Sequence, residues 1–165
     1  MAKVLFVCYG NSCRSQMAEA LANHLGKGKV RAFSAGTHPL GEVSPDTRAV
    51  LHEKGITLHE HWSKGLRDVP LSEMDVVVEM GAGVKCRLPA DFKGRLIRWH
   101  IPDPFLLGRD HFRDVRDLIE GEVRRLLADL ARDRVKSRNS KIEKGNSKTD
   151  NGSTRFEGGK HARES

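Results

Sequence analysis

Lys3-Val4-Leu5-Phe6-Val7, Cys8-Tyr9-Gly10-Asn11-Ser12-Cys13-Arg14-Ser15 and Gln16-Met17-Ala18-Glu19-Ala20-Leu21-Ala22 follow one another without a break. The first run is short and, after Lys3, wholly apolar, which predicts a buried strand. The last run is rich in strong helix formers. Between them lies a turn with Gly10-Asn11, carrying a thiol and a guanidinium six positions apart. The first amides of a helix have no intrahelical partner, and with successive turn amides they form a concave nest for an anion. A thiolate at Cys8 would be stabilised by the same field, which predicts a lowered pKa and a nucleophile at neutral pH. Arg14 adds a permanently charged planar fork able to grip two oxygens of a tetrahedral anion. Spacing alone also fits an ordinary buried cysteine at a strand end. The strand before, the helix after and a distant Asp103-Pro104 point instead to catalysis.

Alternation continues along the chain. Val30–Ala35 reads as a second strand, and Ser44-Pro45-Asp46 opens a helix with a capping serine and a first-turn proline, which Gly55 ends. Strands are predicted at Met74–Val78 and Leu96–Ile101. Phe112, Val115, Ile119, Val123, Leu126 and Leu130 recur at three- and four-residue steps and predict a final amphipathic helix. Strands alternating with helices imply right-handed crossovers, a mostly parallel sheet and a ligand at the carboxyl ends of the strands. Cys8 follows the first strand and Asp103 the fourth, so both are expected at that end. Pro102 and Pro104 restrict the backbone around Asp103. Pro-Asp-Pro alone would also suit a rigid turn.

The chain resembles the low-molecular-weight protein tyrosine phosphatases and the related thiol-dependent arsenate reductases. The resemblance is carried by Cys8–Ala20, Ser34-Ala35-Gly36-Thr37, Asp75–Val78 and Ile101-Pro102-Asp103-Pro104-Phe105, and covers about residues 3 to 131. It implies a three-layer α/β/α fold around a central four-stranded parallel sheet. It implies catalysis by Cys8 as nucleophile, Arg14 on the phosphoryl oxygens and Asp103 as general acid. Tyr9, Gly10, Asn11, Ser12, Cys13 and Ser15 would bind the oxyanion or support the loop, with Asn11 bracing it and Ser15 bonded to the Cys8 thiolate. Tyr9, His38 and Phe105 would lie at the pocket rim.

Three functions are compatible with these residues. A phosphomonoesterase would act on phosphotyrosine proteins or small aryl phosphates through a phosphocysteine. An arsenate reductase would convert arsenate to arsenite, and Asn11–Gln16 looks more like that branch. Met80 and Ala82, however, stand where the resemblance places relay cysteines, and a thioether cannot attack a disulfide. That leaves an external thiol reductant, thioredoxin or a low-molecular-weight thiol, with Cys13 and Cys86 as the candidate redox residues. Cys86 also suits a small buried hydrophobe, and Cys13 either packing beneath the loop or a reversible disulfide with Cys8, which the resemblance suggests. The third reading is a non-catalytic oxyanion-binding module.

With 165 residues and 38% hydrophobic content, one well-buried domain is expected, at residues 1–133. Three cysteines in no framework spacing suggest a reducing cytoplasm, and no stretch reads as a signal peptide or a membrane span. Five of the seven net positive charges fall in 134–165, a stretch rich in Ser, Asn, Gly and Lys. This predicts a disordered basic tail rather than a nucleic-acid-binding face. His52, His59 and His61 form the local histidine cluster and are expected at the surface, not as metal ligands. No cofactor is expected.

Overall fold

The computed structural model describes residues 1–146. Four parallel strands, β1 (Ala2–Cys8), β2 (Val30–Gly36), β3 (Val76–Met80) and β4 (Arg95–Trp99), lie in the order β2-β1-β3-β4. β1 is central, and its register with β2 places Cys8 beside Gly36. The helices are α1 (Arg14–Leu25), α2 (Pro45–His52) and α3 (Arg109–Asn146).

Strand parity divides the core. Val4, Phe6 and Cys8 point into the larger apolar cluster, shared with Met17, Leu21, Val50, Leu51, Phe112 and Ile119 of the three helices. Leu5 and Val7 point the other way, into a cluster completed by Val69, Met74, Val77 and Val84. That second face is covered by two single 3₁₀ turns, Leu66–Asp68 and Leu71–Glu73, and by chain after β3.

Element boundaries move by a few residues from the sequence expectation. β3 begins at Val76, and just before it Asp75 already bonds to both neighbours, its N donating to Lys3 O and its O accepting from Arg95 N, each at 2.9 Å, while its side chain accepts from Lys3 N at 2.7 Å. β4 ends at Trp99, before Ile101-Pro102, whose proline has no N–H to continue pairing. Ser44 caps α2 through Asp46 N at 3.3 Å, and Gly55 takes φ 75 in the turn that follows.

The compact unit runs Met1–Leu130, three residues short of the expected boundary. Beyond it, α3 continues to Asn146, so the disorder expected from residue 134 is corrected for 134–146. Every residue from Ala131 to Lys144 is exposed. Arg, Lys and Glu are good helix formers, and extending a helix already nucleated costs little. The rest of the expected tail, 147–165, lies outside the described residues. No helix of the described residues is long and apolar enough to cross a membrane.

Candidate active site

The segment between β1 and α1 is held from outside by its carbonyls. Cys8 O accepts from Thr37 N at 3.0 Å, Tyr9 O from His38 N at 2.8 Å, and Gly10 O from Leu40 N at 3.0 Å and Ser63 Oγ at 2.8 Å. Asn11 O accepts from Gln16 Nε2 at 3.3 Å, and Ser12 O from Ser44 N at 3.1 Å and Thr47 Oγ1 at 2.9 Å. A trans peptide directs its N–H opposite its C=O. Five successive carbonyls engaged outward therefore turn the loop's N–H groups inward. Cys13 occupies the N-cap of α1 and makes no side-chain capping bond, so no side chain claims the first-turn amides. The result is a cradle of donors at a helix N-terminus, with Cys8 Sγ at its base.

Asn11 permits this geometry by adopting φ 47, a conformation asparagine tolerates. Its side-chain oxygen accepts from Gln16 Nε2 at 3.0 Å and from Lys64 N at 2.9 Å, which fixes the amide so that Nδ2 donates to Ser15 Oγ at 2.8 Å. Ser15 Oγ lies 2.9 Å from Cys8 Sγ. With one lone pair of Ser15 occupied by Asn11, its O–H is free to donate to the sulfur. Gly36 is required by close approach, since a Cβ there would stand 2.7 Å from Tyr9 O and 2.9 Å from Asn11 N.

Arg14 is buried at the start of α1, its Nη1 donating to Ile101 O at 3.2 Å and its Nη2 lying 3.4 Å from Asp103 Oδ2. The Asp103 carboxylate is half exposed, and its other oxygen accepts from Phe105 N at 3.1 Å. Residues 95 positions apart in sequence thus share one cavity of about 210 Å³, lined by Cys8, Tyr9, Gly10, Ser12, Cys13, Arg14, Leu40, Asp103 and Phe105. His38 stands behind Tyr9, the two rings stacked at 4.5 Å.

Two further cysteines lie among the described residues. Burial pushes the Cys13 thiol up to about 11, with the Asp103 and Cys8 charges adding to the rise. Cys86 is likewise raised to about 11, by burial and then the Glu79 charge. It packs against the cluster of Leu5 and Val7, on the face of the sheet opposite Cys8. The structure does not bring it to the cavity.

His61 corrects the expectation of a surface cluster. His59 is exposed, but the His61 side chain is only 26% exposed and stands 3.8 Å from Glu19. Burial lowers its pKa, against the opposing pull of the Glu19 carboxylate.

The sequence reading missed three contributors: Leu40 in the cavity wall, Gln16 bridging the loop to Trp62 O at 3.0 Å, and Gly81. Gly81 has φ 116, and any Cβ there would overlap Arg14 Nη1 and stand 3.3 Å from Cζ. The one local signal was Gly81-Ala82-Gly83 just past a strand's carboxyl end.

A parallel α/β sheet with an anion cradle after its central strand, holding a cysteine, an arginine and a carboxylate, is an arrangement suited to binding an oxyanion. The chain belongs to the low molecular weight phosphotyrosine protein phosphatase family, whose model matches residues 3–136. It is 36% identical over 134 residues to a glutaredoxin arsenate reductase of Synechocystis sp., an alignment spanning 79% of this chain and all of that protein. It is 34% identical over 161 residues to a low molecular weight protein-tyrosine-phosphatase of Streptomyces coelicolor, spanning 82% and 97%. Among solved structures, an arsenate reductase in its phosphate-binding state superposes with a TM-score of 0.71 at 35% identity, covering 79% of this chain and 99% of that one. The chain is therefore an enzyme of the superfamily that holds both activities.

Proposed function

We propose that this enzyme is a phosphomonoesterase acting on aryl phosphates through a phosphocysteine. The observation that carries the reading is the Asp103 carboxylate beside Arg14, over the cradle that holds Cys8. Such an acid serves a leaving oxygen. The substrate phosphoryl sits among the inward loop amides, with Arg14 on its equatorial oxygens. The Cys8 thiolate, held by Ser15, attacks phosphorus in line, forming the S–P bond as the P–O bond to the leaving group breaks. Asp103 gives its proton to the departing oxygen. The carboxylate so formed then takes a proton from water, whose oxygen attacks the phosphocysteine, releasing inorganic phosphate and restoring the thiolate and the acid.

The second reading, arsenate reduction, is favoured by Asn11–Gln16 and by the arsenate reductases among the relatives. It would need an external thiol, because Cys86 lies across the sheet from Cys8, and Cys13 is held as a thiol by burial. Partners would then be arsenate and a thioredoxin or low-molecular-weight thiol system. The test is to assay hydrolysis of p-nitrophenyl phosphate and reduction of arsenate, with thioredoxin and then glutathione, on one preparation. We expect phosphate release that Cys8→Ser abolishes while inorganic phosphate still binds. Equal turnover by Cys8→Ser, or arsenite formation without ester hydrolysis, would overturn the reading.

A further inference from the structure

One backbone unit of the loop between β1 and α1 is held differently from the rest. Cys8 O, Tyr9 O, Gly10 O and Ser12 O each accept from a backbone N–H, those of Thr37, His38, Leu40 and Ser44. Asn11 O has no such donor among the described residues. It accepts instead from the Gln16 side chain, with Nε2 at 3.3 Å. A trans peptide sets its N–H opposite its C=O, so whatever holds Asn11 O also aims the N–H of Ser12. Ser12 lines the active-site cavity.

The same unit follows a strained residue. Asn11 stands at φ 47, a left-handed conformation that its surroundings must hold in place. Without a donor on Asn11 O, the peptide between Asn11 and Ser12 is free to rotate, which carries the Ser12 N–H away from a bound anion.

Gln16 is the third residue of α1 and is completely buried. Its Nε2 also lies 3.0 Å from Asn11 Oδ1 and 3.0 Å from Trp62 O, so two N–H groups serve three oxygens. Two of those oxygens have a second donor. Lys64 N reaches Asn11 Oδ1 at 2.9 Å, and Lys64 Nζ reaches Trp62 O at 3.2 Å. Asn11 O is the one that depends on Gln16. At this position of a helix, a glutamine ordinarily turns its acceptor back toward the N-cap amide, here that of Cys13. Gln16 Oε1 has no hydrogen-bond partner among the described residues, a cost to folding, while the donor end of the same amide is fully engaged.

We propose that Gln16 is a positioning residue for oxyanion capture: by holding Asn11 O it aims the Ser12 amide into the cradle, where that N–H donates to a bound tetrahedral anion. The role is the same for a phosphoryl group and for arsenate, so it does not depend on the phosphatase reading.

The experiment titrates the full, ¹⁵N-labelled chain with inorganic phosphate, following the loop amides by NMR and the affinity by calorimetry. In wild type the Ser12 and Gly10 amide protons should both move downfield as phosphate saturates. No such shift at Ser12 would end the proposal before any variant is made. Gln16→Met is similar in size but donates nothing. In it Ser12 should lose most of its shift, Gly10 should keep its own because Tyr9 O is still held by His38 N, and phosphate should bind about tenfold more weakly. Gln16→Glu, which cannot donate at neutral pH, should weaken phosphate at least as much and supplies the same comparison. Circular dichroism melts check that each variant is folded at the titration temperature. A Ser12 shift retained in the variants, an equal loss at Ser12 and Gly10, or phosphate affinity within twofold of wild type would overturn the role. No readout here uses turnover, so its failure leaves the phosphatase reading to its own assay with p-nitrophenyl phosphate.

Discussion

Replacing Gly81 by alanine tests how the arginine is aimed. The added methyl would overlap Arg14 Nη1, while Ile101 O, 3.5 Å from the new Cβ, leaves no room on its own side. Restoring ordinary carbon contact requires the guanidinium to move on the order of 1 Å. Its bond to Ile101 O is already 3.2 Å and the contact to Asp103 is 3.4 Å, so a shift of that size takes the donors out of hydrogen-bond range. The same displacement misaligns the fork with a bound oxyanion. A hydrogen bond to a charged group contributes about 1.5–3 kcal/mol, so inorganic phosphate should bind on the order of tenfold to a hundredfold more weakly. The assay is the inhibition constant of inorganic phosphate against p-nitrophenyl phosphate, with kcat/KM measured alongside. An alanine at φ 116 also strains the backbone, so thermal melting must show the variant folded at the assay temperature. Phosphate inhibition within twofold of wild type, in a folded variant, would refute the reasoning. It would mean that the loop amides, not Arg14, set oxyanion affinity.

Asp103→Asn should slow esters with poor leaving groups most, by about 10²–10⁴, and those with good leaving groups least. A loss independent of leaving group would remove Asp103 as the acid. With Cys13 and Cys86 both raised to about 11, iodoacetamide at pH 7.5 should label Cys8 first, and Cys8→Ser should resist labelling. Mass spectrometry that finds Cys86 modified first would contradict this order. Glu53 is held at about 2 by hydrogen bonds from Arg113 and Arg116, below its ordinary value of 4.5. Its folded pKa is depressed, so its contribution to stability is present above pH 4.5 and is lost as pH falls toward 2. Glu53→Gln should therefore lower the urea midpoint at pH 7 and match wild type near pH 2. A gap between the two that persists to pH 2 would show that Glu53 acts through something other than its charge.

Much of the site was legible because it is local. Cys8 through Ser15 carry the strand end, the left-handed turn at Asn11 and the helix N-terminus within one stretch, and each follows from short-range sterics and hydrogen bonding. Ser44 as a cap and the stripe from Phe112 to Leu126 are local in the same sense. Gly81 was not legible. A glycine past a strand reads as a turn residue, and only the packing of β3 beside β1 shows that its missing side chain makes room for Arg14. Leu40 was missed for a related reason, since nothing in its neighbours announces a cavity wall.

By itself, then, the chain determined its repeating β and α elements and the identity of the residues in the anion cradle, because periodicity, capping and turn conformations are settled over a few residues. Tertiary structure decided which distant groups meet. Strand parity sends Cys8 to one face and the neighbourhood of Cys86 to the other, and the strand order sets Asp103 and Ile101 against Arg14. It also decided that residues 134–146 extend a helix, because a helix already nucleated on a packed stripe propagates where composition alone suggested no order.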